Sequence, residues 1–194
     1  MEELVDFASR VGYDGVELRV DVGPMHRVDW RISSEERRRI RRLFADKGVR
    51  VSCIATSASF GFHDEGVRKE NIDVAKRYVD LAGDLDAKVI RCFGGLIGSG
   101  RVVKLNDRTL DYIASAYREV GEYGVDYGIC PLLEMHDAFS VERFSSPLEA
   151  SRMALEVIKR SDTRNIGILW NQNMLDKELF DLIGGYIYKA FLYK

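Results

Sequence analysis

Apolar and polar positions alternate along the chain with two periods, one typical of helices and one typical of strands. Near the start, Leu4, Val5, Ala8 and Val11 recur with the spacing of one helix face, and a short apolar strand is predicted at 15–20. The same alternation returns along the rest of the chain. It predicts helices between six strands, which lie at 15–20, 49–56, 87–93, 128–135, 166–170 and 188–193.

Capping signals place the starts of two predicted helices. Ser33 and Glu36 form a capping box before a helix that runs to about Lys47. Ser146 and Glu149 repeat this pattern, with a proline in the first helical turn. Both helices therefore have a defined start between two predicted strands.

The spacing of the strands predicts a parallel sheet. Units of roughly 35 to 43 residues, each with one strand and one helix, are typical of parallel βαβ construction. A doubly wound open sheet is the alternative, but the turn after Val20 lacks its glycine fingerprint. The pattern favours a (β/α)8 barrel, which needs about 250 residues when complete. Since the chain has 194 residues, we expect one incomplete barrel domain over 1–194.

Composition narrows the range of partners. With 29 basic and 31 acidic side chains, the net charge of -2 gives no field that favours nucleic acid or an anionic membrane. No apolar stretch approaches the roughly 18 residues of a membrane span, and no signal-peptide pattern is present. We therefore expect a cytoplasmic protein with a small-molecule ligand. Cys53, Cys92 and Cys130 are expected to be reduced core thiols.

Four segments resemble one superfamily of barrel enzymes. In their order and spacing, residues 12–19, 87–95, 132–137 and 166–171 resemble motifs of the xylose-isomerase-like sugar phosphate isomerase/epimerase superfamily. This resemblance implies a TIM barrel. On this alignment the chain begins in the first helix and ends in the seventh strand, so that about six parallel strands are present and strands one and eight are absent.

Glu134 is the candidate catalytic residue. Side chains alternate between the faces of a strand, so Cys130, Leu132, Glu134 and His136 share one side. Glu134 and His136 come last, at the strand end where barrel enzymes hold their active sites. The resemblance implies that Glu134 is a metal-binding carboxylate that abstracts a proton. The alternative is a buried carboxylate in a structural hydrogen-bond network.

Four further residues are candidate substrate contacts. The resemblance places Arg91 in a strand used for barrel packing or for substrate contacts, and Asn171 at a position where an aspartate is usual. His136 is either a ligand contact or a surface histidine. Glu17 faces the predicted barrel mouth, or forms a structural ion pair at the end of its strand. We expect Glu134 and His136 to point into the concave end of the sheet, with Asn171 beside them.

The resemblance also implies a divalent metal cofactor, Mn2+ or Mg2+, but the ligand set is incomplete. Met174 stands where the superfamily has a histidine, and no histidine follows His136. Glu134 alone brings negative charge, whereas divalent ions in proteins are held by several ligands. The sequence therefore predicts weak metal binding at most.

Two functions remain open. The first is a sugar or sugar-phosphate isomerase or epimerase, in which Glu134 removes a proton next to a carbonyl. The second is a noncatalytic barrel remnant that binds a sugar-like ligand or a partner subunit. A nuclease of the same superfamily is excluded, because its three-metal site needs many histidines and this chain has three.

Open sheet edges predict self-association. Six parallel strands leave two edges with unpaired backbone groups and with apolar side chains exposed to water. This exposure costs about 25 cal/mol of stability per Å2 of apolar surface. We expect the isolated chain to form a homo-oligomer through these edges or to aggregate. Light scattering tests this, and a soluble monomer that melts cooperatively at tens of micromolar would contradict it.

Overall fold

The computed structural model describes residues 1–21, 28–95, 105–140 and 143–169, in which helices and strands alternate. The helices are α1 (Glu2–Val11), α2 (Ser34–Asp46), α3 (Glu65–Asp84), α4 (Asp107–Val125) and α5 (Pro147–Ser161). The strands are β1 (Gly15–Arg19), β2 (Arg50–Ser59), β3 (Val89–Phe93), β4 (Cys130–Glu134) and β5 (Gly167–Leu169). A 3-10 turn, Asp137–Phe139, follows β4.

The strands form one parallel sheet in the order β1-β2-β3-β4-β5. Each strand therefore lies beside the next one in the chain. A doubly wound sheet reverses its strand order at a switch point, whereas a (β/α)8 barrel adds strands in sequence. The observed order confirms the prediction of a partial barrel. The sixth predicted strand, 188–193, lies outside the described residues.

The predicted helix starts are correct. The Ser33 hydroxyl oxygen accepts a hydrogen bond from the Glu36 N–H at 3.1 Å, and α2 begins at the next residue. The Ser146 hydroxyl oxygen accepts from the Glu149 N–H at 3.2 Å in the same way. One detail differs from a standard capping box, because the Glu149 carboxylate accepts from the Ser145 N–H at 3.0 Å.

The main core lies between the helices and one face of the sheet. Each helix contributes one apolar face, and the strands contribute every second residue. Representative members are Val5, Ile40, Ala75, Ile113 and Ala154 from the helices and Leu18, Ile54, Ile90, Leu133 and Ile168 from the strands. None of the described helices combines the length and the apolar character that a bilayer span requires.

A second, smaller apolar cluster covers the opposite face of the sheet. It consists of the fully buried Cys53, Val89 and Leu132, with Cys130 and Leu169 packed at its margin. The three cysteines are free; Cys53 and Cys92 are buried and Cys130 is partly buried. Burial raises the pKa of Cys92 and of Cys130 to about 12. The prediction of reduced core thiols is confirmed.

Strand β1 is an edge of the described sheet. It pairs with β2 on one side, and no other described strand lies on its other side. The preceding segment exposes three large apolar side chains, Phe7 and Val11 of α1 and Tyr13 after it, which are 50%, 52% and 59% accessible. Self-association through open edges stays a prediction.

Helix α4 approaches the start of β4 more closely than a side chain would permit. The Asn165 amide nitrogen donates to the carbonyl oxygens of Gly121 and Ile129, both at 2.8 Å. A Cβ on Gly121 would lie 2.6 Å from the Asn165 carbonyl oxygen, and one on Gly124 would overlap the Ile129 carbonyl oxygen. These contacts fix the strand that carries Glu134.

Two glycine substitutions test this packing. Gly124→Ala should lower the free energy of unfolding by about 1–3 kcal/mol, because backbone atoms would have to shift. Gly83→Ala is the matched control, since its Cβ would meet Tyr127 at an ordinary 3.6 Å. The control should be neutral or stabilising by up to about 1 kcal/mol, the usual gain for alanine over glycine in a helix. Urea denaturation measures both, and equal effects would contradict the close approach.

Candidate active site

Glu134 lies on the face of the sheet that points away from the helices. Its neighbours Leu133 and Met135 belong to the core between helices and sheet, whereas Leu132 belongs to the cluster on the opposite face. Alternation along β4 places Glu134 with Leu132. The predicted orientation of Glu134 is therefore confirmed. Asn171, predicted beside it, lies outside the described residues.

Arg91 and Glu134 form an ion pair at the C-terminal ends of β3 and β4. The distance between Arg91 Nη1 and Glu134 Oε2 is 2.7 Å, and the two side chains are 7% and 18% exposed. In the strand register Glu134 lies beside Phe93, while Arg91 lies beside Leu132. The guanidinium therefore reaches from the level of Leu132 to that of Glu134, two residues closer to the C-terminal strand ends and the barrel mouth. Among the described residues, Arg91 is the one charged residue that is buried.

Two aromatic rings extend this pair towards solvent. The Arg91 guanidinium carbon lies 4.4 Å from the centre of the Phe93 ring, a cation–π contact. The Phe93 ring meets the ring of His136 edge to face, with 5.8 Å between their centres. His136 is exposed beyond the end of β4, so it reaches the cluster through Phe93.

Glu17 brings a second carboxylate to the same face. Burial has the largest effect on Glu17 and raises the pKa of its carboxyl, and the charge of Glu134 adds to the rise. The charges of Arg91 and Arg19 oppose it. Glu17 as a whole is nevertheless exposed to solvent, which limits the rise. The predicted site residues Glu17, Arg91 and Glu134 thus lie within electrostatic range of one another.

An apolar layer closes the sheet face beneath these charges. Val89 precedes Arg91 by two residues on β3, and Leu132 precedes Glu134 by two on β4, so each pair shares a face. Val89 and Leu132 are fully buried together with Cys53. Barrel interiors are filled by such layers. The charged residues therefore lie at the mouth side of a buried apolar layer.

The backbone under the site is held from the helix side. The Thr56 hydroxyl donates to the Arg91 carbonyl oxygen at 2.8 Å, and the Tyr117 hydroxyl donates to the Cys92 carbonyl oxygen at 2.9 Å. Burial raises the pKa of Tyr117 well above its usual range. Sequence reasoning missed Phe93, Thr56 and Tyr117. Of these, Phe93 could have been predicted from the sequence, since it follows Arg91 by two residues on one strand and so shares its face.

Asp21 fixes the end of the edge strand β1. Its backbone has a φ of 67°, in the left-handed region that few residues other than glycine adopt. Its carboxylate accepts hydrogen bonds from the Ser57 N–H at 2.9 Å and from the Tyr78 hydroxyl. Burial, followed by the bond to Asp21, raises the pKa of Tyr78. These bonds tie β1 to β2 and α3 close to Glu17.

The described residues do not fit a divalent metal ion. They contain no group of three or more histidine, cysteine, aspartate or glutamate side chains able to hold one. In addition, one of the two Glu134 oxygens, Oε2, is bonded to Arg91. At an effective dielectric constant of about 20, the guanidinium would repel a divalent ion about 4 Å away by about 8 kcal/mol, which opposes the attraction of the Glu134 carboxylate. The weak metal role predicted for Glu134 therefore has no support from the described residues.

A parallel sheet whose strands follow one another in chain order, with charged residues at the C-terminal strand ends, is typical of a TIM barrel. The family model for the xylose isomerase-like TIM barrel matches residues 5–172, and the chain belongs to this family. The predicted superfamily is thereby confirmed. Its relatives include sugar epimerases.

One such relative is L-ribulose-5-phosphate 3-epimerase UlaE of Escherichia coli. The chain is 30% identical to it over 98 residues, which are 47% of this chain and 34% of the epimerase. The homologous enzyme from Salmonella paratyphi B is 31% identical over the same length. The chain thus matches about a third of the length of these curated relatives.

Solved structures show the same fold. An L-ribulose 3-epimerase superposes with a TM-score of 0.72 at 19% identity, covering 96% of this chain and 61% of that one. A xylose isomerase-like TIM barrel protein of Mycobacterium smegmatis, solved in complex with magnesium, gives 0.67 at 17% identity and covers 95% and 63%. At these identities the likeness concerns the fold.

The raised pKa of Glu17 predicts a pH-dependent stability. Its ordinary value is 4.5 and its folded value is higher, so its contribution to the free energy of unfolding is present below pH 4.5. That contribution is lost as the pH rises through the folded pKa. Glu17→Gln should therefore be more stabilising at pH 7 than at pH 4 in urea denaturation. Glu3→Gln, on exposed α1, controls for the loss of one carboxylate, and a pH-independent effect of Glu17→Gln would contradict the prediction.

Proposed function

We propose that this chain forms most of the ligand site of a sugar or sugar-phosphate epimerase or isomerase, with Glu134 as the base. One observation carries the proposal: Glu134 lies at the mouth-side end of β4, bonded to the buried Arg91 and close to Glu17. Sugar epimerases among the relatives support it. The substrate class is a ketose or its phosphate.

The reaction is a proton transfer next to a carbonyl. Glu134 removes the proton from the carbon beside the ketose carbonyl, and the electron pair of that C–H bond moves onto the carbonyl oxygen to form an enediolate. Delivery of a proton from solvent to the opposite face of the same carbon inverts that carbon, which is epimerisation, and Glu134 releases its own proton to solvent. Delivery of the proton to the former carbonyl carbon, while the hydroxyl proton of the neighbouring carbon passes to the former carbonyl oxygen, gives isomerisation.

The other candidate residues would contact the substrate. We propose that Arg91 and Glu17 bind its oxygens from the floor of the mouth, since a guanidinium donates hydrogen bonds and a carboxylate accepts them. His136 would contact the substrate from the rim, beside Phe93. Asn171 is proposed as a further contact from the sequence alone.

A noncatalytic sugar-binding protein is the second candidate. The observation that favours it is the ion pair itself, because one oxygen of Glu134 is already bonded to Arg91 rather than open to a substrate. The same pair offers donors and acceptors to sugar hydroxyls without any chemistry. The two candidates differ in proton exchange, not in binding.

Solvent deuterium incorporation separates the candidates. For the catalytic proposal, incubation of the chain with L-ribulose or L-ribulose 5-phosphate in D2O should place deuterium on the carbon next to the carbonyl, as seen by proton NMR. Glu134→Gln should slow exchange by about 10^2 to 10^4, the usual contribution of a general base. Glu122→Gln, on the exposed face of α4, is the matched control. Binding without exchange in the unmodified chain would favour the second candidate.

A further inference from the structure

We infer that the Arg91 guanidinium, held between Glu134 and Phe93 at the barrel mouth, takes the place of a metal ion in this site and binds the carbonyl side of a ketose directly. The inference rests on the proposed function and specifies how the ligand is held. It concerns ligands that carry a carbonyl and a neighbouring hydroxyl group.

The position of Arg91 suits this role. It lies on β3, the central strand of the five, and its guanidinium is directed towards the mouth by the bond to Glu134. The layer of side chains beneath it is apolar and buried. A ligand entering from the C-terminal end therefore meets the guanidinium at the floor of the mouth.

The charge balance of the cluster already includes a cation. Arg91 lies between two carboxylates, Glu134 in direct contact and Glu17 within electrostatic range. A metal ion bound by both oxygens of Glu134 would have to displace the guanidinium from Oε2. Arginine cannot lose its charge by deprotonation in a protein. The positive charge is therefore permanent, and it repels a second cation at Glu134.

The guanidinium offers the hydrogen bonds that a ketose needs. It is planar and carries five N–H donors in a fixed fork, which suits two oxygens on neighbouring atoms. The carbonyl oxygen and the adjacent hydroxyl oxygen of a ketose form such a pair. When the carbonyl oxygen becomes negative in an enediolate, a fixed cation beside it stabilises the charge.

The guanidinium is held in place before a ligand arrives. The Thr56 hydroxyl fixes the Arg91 backbone, the Phe93 ring covers one side of the guanidinium, and Glu134 fixes its orientation. Groups held in this way need little reorganisation when charge develops. This rigidity distinguishes Arg91 from a mobile surface arginine.

Manganese titration tests the exclusion of metal. With Mn2+ as the probe, followed by electron paramagnetic resonance, the unmodified chain should show no tight binding. Arg91→Gln should bind Mn2+ at least about tenfold more tightly, because the repelling charge is gone. Arg91→Lys keeps the charge and should show no gain. Arg42→Gln, on the exposed side of α2, is the matched control. Sub-micromolar binding of Mn2+ by the unmodified chain would overturn the inference.

Calorimetry with L-ribulose tests direct binding. The unmodified chain should bind this ketose equally with EDTA and with added Mn2+. Arg91→Lys, which loses the planar fork, should bind it about tenfold more weakly. Because Arg91→Gln leaves Glu134 without its partner, thermal melting must show that it folds; if it does not, the unmodified chain and Arg91→Lys decide.

The outcomes separate the inference from the proposed function. Ketose binding or deuterium exchange that appears only with Mn2+ leaves the proposed function standing and overturns the role of Arg91. Absence of any ketose binding overturns both. Metal-independent binding without deuterium exchange supports the role of Arg91 and contradicts the catalytic proposal.

Discussion

The charge of Arg91 has to be compensated inside the protein, because its strand, β3, is buried on both faces. All five of its residues are buried, including Arg91. Burying an unpaired guanidinium would cost several kcal/mol, so its neighbours must supply a partner. Glu134 does so from the adjacent strand, and Phe93 covers the guanidinium. The geometry of the candidate site follows from this compensation.

Helices and strands were predictable because both faces of the sheet impose a regular pattern. The helices show an apolar period of 3.6 residues because each packs one face against the sheet. Ser33 and Ser146 mark helix starts because their hydroxyl groups accept the first hydrogen bonds of α2 and α5. Strand ends were less accurate. The strand predicted at 128–135 is observed at Cys130–Glu134, since pairing with neighbours, rather than composition, determines where a strand ends.

The candidate site was predictable only within single strands. Alternation placed Glu134 on the mouth side, but the register between β3 and β4 determines that Arg91 reaches it, and one sequence does not contain that register. Thr56 and Tyr117 act through backbone carbonyls of other strands, which leaves no local signal. Gly94 resembles a loop glycine, yet a Cβ there would overlap the ring of Phe139.

The buried thiols have a practical consequence for chemical labelling. Alkylating reagents react with thiolates, and burial raises the pKa of Cys53 well above its usual range and those of Cys92 and Cys130 to about 12. The native cysteines therefore provide a silent background near neutral pH. His63 is exposed in the loop after β2, and a cysteine introduced there would carry a fluorophore selectively. A change in its emission would then report that a ligand occupies the mouth.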